Sequence, residues 1–124
     1  MVAIDYTTST AEMAARPQWD WLRTYRAHER GQGPLVAPGE QDITVEVAVD
    51  QLAAVRPPSR RSRQQEWLLR HGLAEAVEEG RRTWNEQAAR PGLAAIRARS
   101  RVVEAQALID PSGLGGFEVL EWDL

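Results

Sequence analysis

The sequence predicts a mixed α/β fold, and three observations support this prediction. The chain opens at residues 1–4 on a short apolar run that favours a strand. It closes on a similar run at 117–122. Between these runs, apolar residues recur at the helical period over 64–109. A chain of 124 residues has the usual length of one domain, so the strands and helices are expected to share a fold.

The composition argues against several classes of function. The sequence has no cysteine, which rules out disulfides, thiolate metal sites and thiol catalysis. It has two histidines, so we expect no metal site. A formal net charge of −3 argues against nucleic acid as a partner. No apolar run reaches the roughly 20 residues that a membrane span needs, and without a secretory leader we expect a cytoplasmic location.

Residues 1–55 are predicted to be a strand-rich segment. The first strand begins without a polar lead-in, as if it came from the interior of a longer sheet. Ser9 and Glu12 have the spacing of a capping box and predict a short helix over 9–15. The other predicted elements are a strand at 19–26, a loop at 31–41, and a strong strand at 42–50 that turns into 51–55.

The stretch 56–63 is basic and interrupted by two prolines, which predicts a solvated loop. Contact with phosphate or RNA is the alternative interpretation of its arginines. No aromatic residues are interleaved there to stack on bases, so an RNA-binding module is the least favoured hypothesis.

Three helices are predicted over 64–109, followed by a final strand at 117–122. Ser62 and Gln65 form a possible capping box for the first helix, which ends at Gly72. Pro91 suits the first turn of the third helix. The expected core stripes are Leu73, Val77, Gly80 and Trp84 in the second helix, and Leu93, Ile96, Ser100, Val103 and Ala107 in the third. The final strand is expected to pair with the early strands.

Asp5 and Tyr6 form a polar pair directly after the first apolar strand. Open α/β sheets place ligand-contacting groups at the carboxyl ends of their strands, which makes this pair a candidate site. An aspartate that only forms a turn is the alternative.

The Val-Ala-Ile-Asp-Tyr run at 2–6 is the first of five segments that together match one family pattern. It resembles the strand end "iDYG". Two further segments resemble "lrayr.H" (residues 22–28) and "PG..DlT..V" (38–47). The last two resemble "Q..FL..lGi" (64–73) and "p..mG..FkvL" (110–120). The pattern is that of the MidA-like S-adenosylmethionine-dependent methyltransferases. The sequence departs from it at Thr7, where the family has glycine, at Glu46, where many members have histidine, and at Ala48, where many have aspartate.

This resemblance implies the C-terminal portion of a class I, Rossmann-like methyltransferase. The family's Gly-rich loop and its ribose-binding acidic residue lie upstream of "iDYG", so the N-terminal cofactor-binding half is expected to be absent. Residues 1–124 would then form a single partial domain. S-adenosylmethionine is the cofactor of the full-length family, and we expect this chain alone neither to bind it nor to be active.

The resemblance also implies roles for individual residues. Asp5 and Tyr6 would be catalytic and lie near the transferred methyl group, with Asp5 as the candidate base. Asp42, Thr44 and Gln64 would orient the acceptor, although each also suits an ordinary turn or cap. The family includes a mitochondrial complex I assembly factor that methylates arginine in a protein. The expected partner is therefore a protein substrate or the missing N-terminal half.

A second hypothesis comes from the helices. In it, the chain is a non-catalytic protein-interaction module that docks a partner through Trp67, Leu69, Leu73 and Trp84.

Overall fold

The computed structural model of the chain describes residues 1–123 and has a mixed α/β architecture, as predicted. The strands are β1 (Val2–Asp5), β2 (Thr7–Thr8), β3 (Leu22–Arg26), β4 (Glu29–Arg30), β5 (Asp42–Val45), β6 (Val47–Ala48), β7 (Arg60–Arg63) and β8 (Glu118–Glu121). The helices are α1 (Thr10–Ala14), α2 (Gln18–Trp21), α3 (Val49–Val55), α4 (Gln64–Arg70), α5 (Leu73–Gln87) and α6 (Leu93–Ile109), with a 3₁₀ turn at Leu114–Gly116.

These residues divide into two compact units. One comprises Met1–Ile4 together with the chain from Ser59 onward, and the other comprises Asp5–Pro58. The prediction of a single partial domain stays a prediction. None of the helices within residues 1–123 is both long enough and apolar enough to cross a membrane.

The first unit contains a small sheet in the order β1-β8-β7. β8 lies in its centre, and Val119 and Leu120 on that strand are buried. The strand β7 pairs with β8 in the antiparallel direction, with Arg60 opposite Glu121 and Arg63 opposite Glu118. The final strand thus pairs with the early strand β1, as predicted, and also with β7, which was not expected.

The prediction of a loop over 56–63 is therefore wrong for Arg60–Arg63. The backbone of this segment bonds to β8 while its arginine side chains stay exposed, so a charged sequence is compatible with a strand at the edge of this small sheet. Arg61 also donates to Glu118 at 2.6 Å, which balances charge across the two strands. The solvated character of the segment is confirmed.

The helix α4 begins one residue later than its predicted capping box. The Glu66 carboxylate, and not Gln65, accepts a hydrogen bond from the Arg63 amide at 3.1 Å. The predicted end of α4 is confirmed, because Gly72 has a φ of +88° in the left-handed region that glycine adopts without strain.

The helices α5 and α6 pack against each other through small residues. A Cβ added at Gly80 of α5 would lie 2.9 Å from the Ala98 carbonyl oxygen of α6. The buried positions of α6 are Ala95, Ala98 and Ala105. Its predicted core stripe, Leu93, Ile96, Ser100, Val103 and Ala107, is instead its exposed face. Larger side chains could not enter so close a helix contact, which explains the inversion. The helix also starts at Leu93, after Pro91 and the capping residue Gly92.

The second unit contains the parallel pair β2-β6 and the antiparallel sheet β4-β3-β5. The capping box of Ser9 and Glu12 is confirmed at the start of α1. The predicted strand at 19–26 starts as the helical turn α2 and becomes extended from Leu22. Residues 31–41 form the predicted loop, which contains neither helix nor strand.

The predicted strand at 42–50 is interrupted at Glu46, and residues 49–55 form the helix α3 instead of a strand end and a turn. The reason is a change of pairing partner. The Glu46 amide donates to Trp21, which precedes β3, whereas the next amide, that of Val47, donates to Tyr6 beside β2.

Candidate functional site

The carboxyl end of β1 presents Asp5 and Tyr6 next to each other. Asp5 is exposed, and its Oδ1 accepts a hydrogen bond from the Tyr6 amide at 2.8 Å. This contact joins Asp5 to the next residue along the chain, and it leaves the exposed carboxylate able to meet a ligand. Tyr6 is half-buried, and the Arg23 guanidinium lies 5.8 Å from the centre of its ring.

Glu46 is the centre of an ion-pair network in the Asp5–Pro58 unit. Its Oε2 accepts from Arg16 at 2.7 Å and its Oε1 accepts from Arg23 at 3.1 Å. The Glu46 side chain is 12% exposed, so the network is partly shielded from water. Arg16 also donates to the buried Thr8 hydroxyl at 3.0 Å. Hydrogen bonding to Glu46 raises the pKa of Arg16, and the two arginines neutralise this carboxylate.

The turn between β3 and β4 places a histidine beside two of the predicted substrate-side residues. Its central residues, Ala27 and His28, have φ angles of +50° and +67°, an uncommon conformation for residues other than glycine. A shallow depression of about 500 Å³ is lined by Tyr25, Ala27, His28, Asp42 and Thr44. Backbone strain of this kind is often retained at binding sites, because it fixes the direction of a side chain.

Asp42 and Thr44 lie two residues apart on β5 and therefore on the same side of the strand. Thr44 pairs with Arg23 of β3, the residue that contacts both Tyr6 and Glu46. The register of the sheet thus connects the depression to the Glu46 network. Four of the five predicted residues belong to the Asp5–Pro58 unit.

Gln64, the fifth, belongs to the other unit and is 7% exposed. Its Nε2 donates to the Leu108 carbonyl at 3.0 Å, and its backbone amide donates to Phe117 at 2.8 Å. These contacts join the start of α4 to the end of α6. They account for the burial of Gln64 without a ligand. A substrate-orienting role for Gln64 stays a prediction.

Two carboxylates stabilise the start of α1. Glu12 accepts from the Ser9 amide at 2.8 Å, and Asp50 accepts from the Thr10 amide at 2.9 Å. The hydrogen bond from the Ser9 amide lowers the pKa of Glu12, and that from the Thr10 amide lowers the pKa of Asp50. Both side chains are ionised at neutral pH and hold α1 in place.

Two of the helix starts in the described residues are unsuited to the carboxylate of S-adenosylmethionine. Such a group binds amides at a helix N-terminus that follows a strand, and α1, α3 and α4 follow β2, β6 and β7 directly or after one residue. The start of α3 follows Ala48 and has no side-chain cap. The starts of α1 and α4 are already capped by a carboxylate of the chain, Glu12 for α1 and Glu66 for α4. A second anion would be repelled there. Within residues 1–123, no group of three or more histidine, aspartate or glutamate side chains could hold a metal ion.

Sequence reasoning missed Glu46, Arg16, Arg23 and His28 as members of this site. Glu46 carried a signal, because it departs from the family pattern. His28 also lay within a matching segment. No local signal in the sequence pointed to Arg16, since its contacts to Thr8 and Glu46 span 8 and 30 residues along the chain.

Two solved structures from Burkholderia thailandensis are similar to this chain. One is an uncharacterized superfamily protein with 25% sequence identity and a TM-score of 0.64; the match covers 96% of this chain and 31% of that one. The other is described as a "likely methyl transferase" bound to S-adenosyl-homocysteine, with 27% identity and a TM-score of 0.62; the match covers 96% of this chain and 30% of that one. This chain thus spans just under a third of the length of each. No curated protein matches it.

A protein family matches residues 1–67, which is more than half of the sequence and includes all five predicted site residues. The family's description is "Putative S-adenosyl-L-methionine-dependent methyltransferase". This match confirms the resemblance to such methyltransferases, and the chain belongs to that family.

Proposed function

We propose that this chain is the acceptor-side, C-terminal part of a MidA-like methyltransferase, and that its acceptor is an arginine side chain of a protein. One observation carries the proposal. The family match over residues 1–67 includes the whole Asp5–Pro58 unit, in which Asp5, Tyr6, Asp42 and Thr44 lie. The cofactor would be bound by a Rossmann-like part of the enzyme that the described residues do not supply.

An arginine acceptor needs a carboxylate that is not already paired. A guanidinium binds carboxylates through charge-assisted hydrogen bonds, often two at once. Glu46 is engaged by Arg16 and Arg23, whereas Asp5 and Asp42 are exposed. Asp5 and Asp42 are thus the carboxylates of the predicted site that can receive the acceptor.

Methylation of a guanidinium nitrogen releases one proton. A carboxylate at the acceptor can take that proton as the new N–C bond forms, and general-base assistance of this kind contributes about 10²–10⁴ in rate. We assign this role to Asp5, and Tyr6 and Thr44 would help to orient the acceptor. Asp42 would hold its positive charge.

The proposal can be tested on the chain itself by NMR. The titrant is a peptide that contains one arginine, and the matched control is the same peptide with lysine in its place. We expect the arginine peptide to shift the amide signals of Asp5, Tyr6, Asp42 and Thr44 more than the lysine peptide does. The Asp42→Asn variant should weaken these shifts, whereas Glu29→Gln, a change at another exposed carboxylate, should not.

Two results would contradict the proposal. Equal shifts with both peptides would mean that the site recognises positive charge in general and not a guanidinium group. Shifts confined to Trp67, Leu69, Leu73 and Trp84 would favour the helical interaction module, for which the 49% exposure of Leu69 is the supporting observation. Calorimetry with S-adenosylmethionine should show no micromolar binding by this chain.

A further inference from the structure

The outer face of α6 is apolar and exposed. Leu93 is 75% exposed, Ile96 54% and Val103 61%. Ser100 and Ala107 complete this face, which points away from the buried alanines of the helix. Three large apolar side chains in a row on one helix are more than the scattered exposure of an ordinary surface.

The spacing of the outer face is that of a coiled-coil seam. Its five residues follow one another at alternating intervals of three and four. Arg97 and Glu104 flank this seam at equivalent positions, one directly after Ile96 and the other directly after Val103. Both are exposed, and neither forms an ion pair with another residue among positions 1–123.

We infer that the outer face of α6 binds the same face of a second copy of this chain in the antiparallel direction. In that arrangement Ile96 lies opposite Ala107 of the second copy, and Ser100 lies opposite Val103. Each of these layers joins a large residue to a small one, as close packing requires, and Leu93 lies beyond them at the end of the contact. Arg97 lies opposite Glu104 of the second copy, and the twofold axis repeats this ion pair.

The charges select this register and this direction. A register shifted by one heptad towards the helix start would place Arg97 opposite Arg97 of the second copy, which is repulsive. A parallel pair would instead bring Glu104 towards Arg99. The Arg99 guanidinium already lies 5.0 Å from the centre of the Trp84 ring, where it is held by a cation–π contact within the chain.

The area available limits the strength of this dimer. One face of a 17-residue helix buries less surface than a standard interface, so the association is of the weak and transient class. We expect the 124-residue chain to be mainly monomeric at about 5 µM and mainly dimeric at about 0.5 mM.

Sedimentation equilibrium of the full chain over this concentration range tests the inference. Arg97→Glu and Glu104→Arg should each raise the dissociation constant of the dimer by about tenfold or more, since each turns two attractive contacts into two repulsive ones. The double variant that carries both substitutions should restore the wild-type constant. Arg101→Glu, a charge reversal on α6 outside the seam, is the matched control and should leave the constant unchanged. Circular dichroism checks that each variant keeps its helix content.

Three outcomes would overturn the inference. The first is a wild-type chain that stays monomeric at 0.5 mM, which would mean that this face serves no second copy. The second is a dimer that Arg97→Glu and Glu104→Arg do not weaken, because another face then forms it. The third is a double variant as weak as the single variants, because Arg97 and Glu104 then do not face each other.

Discussion

Arg16 donates to Glu46 at 2.7 Å across 30 residues of sequence and so joins the end of the first short helical segment to the point where β5 gives way to β6. Arg23 binds the other oxygen of the same carboxylate. Glu46 thus separates two arginines that would otherwise repel each other. The carboxylate is more important for the shape of the site than for binding an acceptor.

Glu46→Gln should destabilise the Asp5–Pro58 unit. Glutamine keeps the size of the side chain but leaves Arg16 and Arg23 close together without a counter-charge. We expect a lower midpoint of urea unfolding, which is measured from the NMR amide signals of this unit. Glu40→Gln is the matched control, because the Arg26–Glu40 pair is mostly exposed and should contribute little. Equal losses in both variants would contradict this role of Glu46.

The stability of α1 should depend on acid pH. The pKa values of Glu12 and Asp50 lie below their ordinary values of 4.5 and 3.8, because amides at the helix start donate to both carboxylates. Their contribution is therefore complete above those ordinary values and is lost as the pH falls through the lowered ones. NMR titration of the two carboxyl carbons measures this directly. Midpoints at or above 4.5 and 3.8 would contradict it, and Asp50→Asn should remove part of the acid dependence.

Gly80→Ala should destabilise the α5–α6 pair, although alanine favours helix more than glycine does. The added methyl group would lie 2.9 Å from the Ala98 carbonyl oxygen and 3.2 Å from Val102. Relief of this overlap requires the helices to separate, at a cost of about 1–3 kcal/mol in the free energy of unfolding. Gly33→Ala is the control, because no atom lies within 4 Å of its added Cβ. Urea unfolding of the two variants should show a loss for Gly80→Ala alone.

The sequence predicted α6 correctly as a helix but assigned it the wrong buried face. The close contact between Gly80 and Ala98 explains this error. Periodicity assigns the largest apolar side chains to the core, and on that basis Leu93, Ile96 and Val103 belong inside. The contact with Gly80 instead selects the alanines. Packing distance between helices is a tertiary property that no single helix encodes. Local rules succeeded where the chemistry is local, as in the capping of α1 by Ser9 and the left-handed Gly72.

The sequence predicted only part of the candidate site, because the remaining contacts depend on tertiary structure. Asp5, Tyr6, Asp42 and Thr44 were found from strand ends and from the family pattern, and all four lie in one unit. In the sequence Glu46 continues an alternating strand pattern, and its role depends on a change of pairing partner at that residue, which is a tertiary property. The roles of these residues in catalysis stay predictions.

The last prediction concerns Asp5 in an active methyltransferase that contains this segment. Its Oδ1 accepts the Tyr6 amide at 2.8 Å, and asparagine can keep that hydrogen bond through its own carbonyl oxygen. Asp5→Asn therefore removes the negative charge while it preserves the hydrogen bond to the Tyr6 amide. If Asp5 takes the acceptor's proton, the rate of methyl transfer should fall by about a hundredfold or more.

Asp5→Ala distinguishes a catalytic base from a residue that only holds the local backbone, because alanine loses the hydrogen bond as well as the charge. Both variants should lose the same activity, but only Asp5→Ala should also lower the melting temperature. Cofactor affinity should be unchanged in both, since the effect is on the chemical step. Activity of Asp5→Asn within a few-fold of wild type would mean that the Asp5 carboxylate only accepts the hydrogen bond from the Tyr6 amide. The proton would then have to leave through another group, and Asp42 is the next exposed carboxylate to replace.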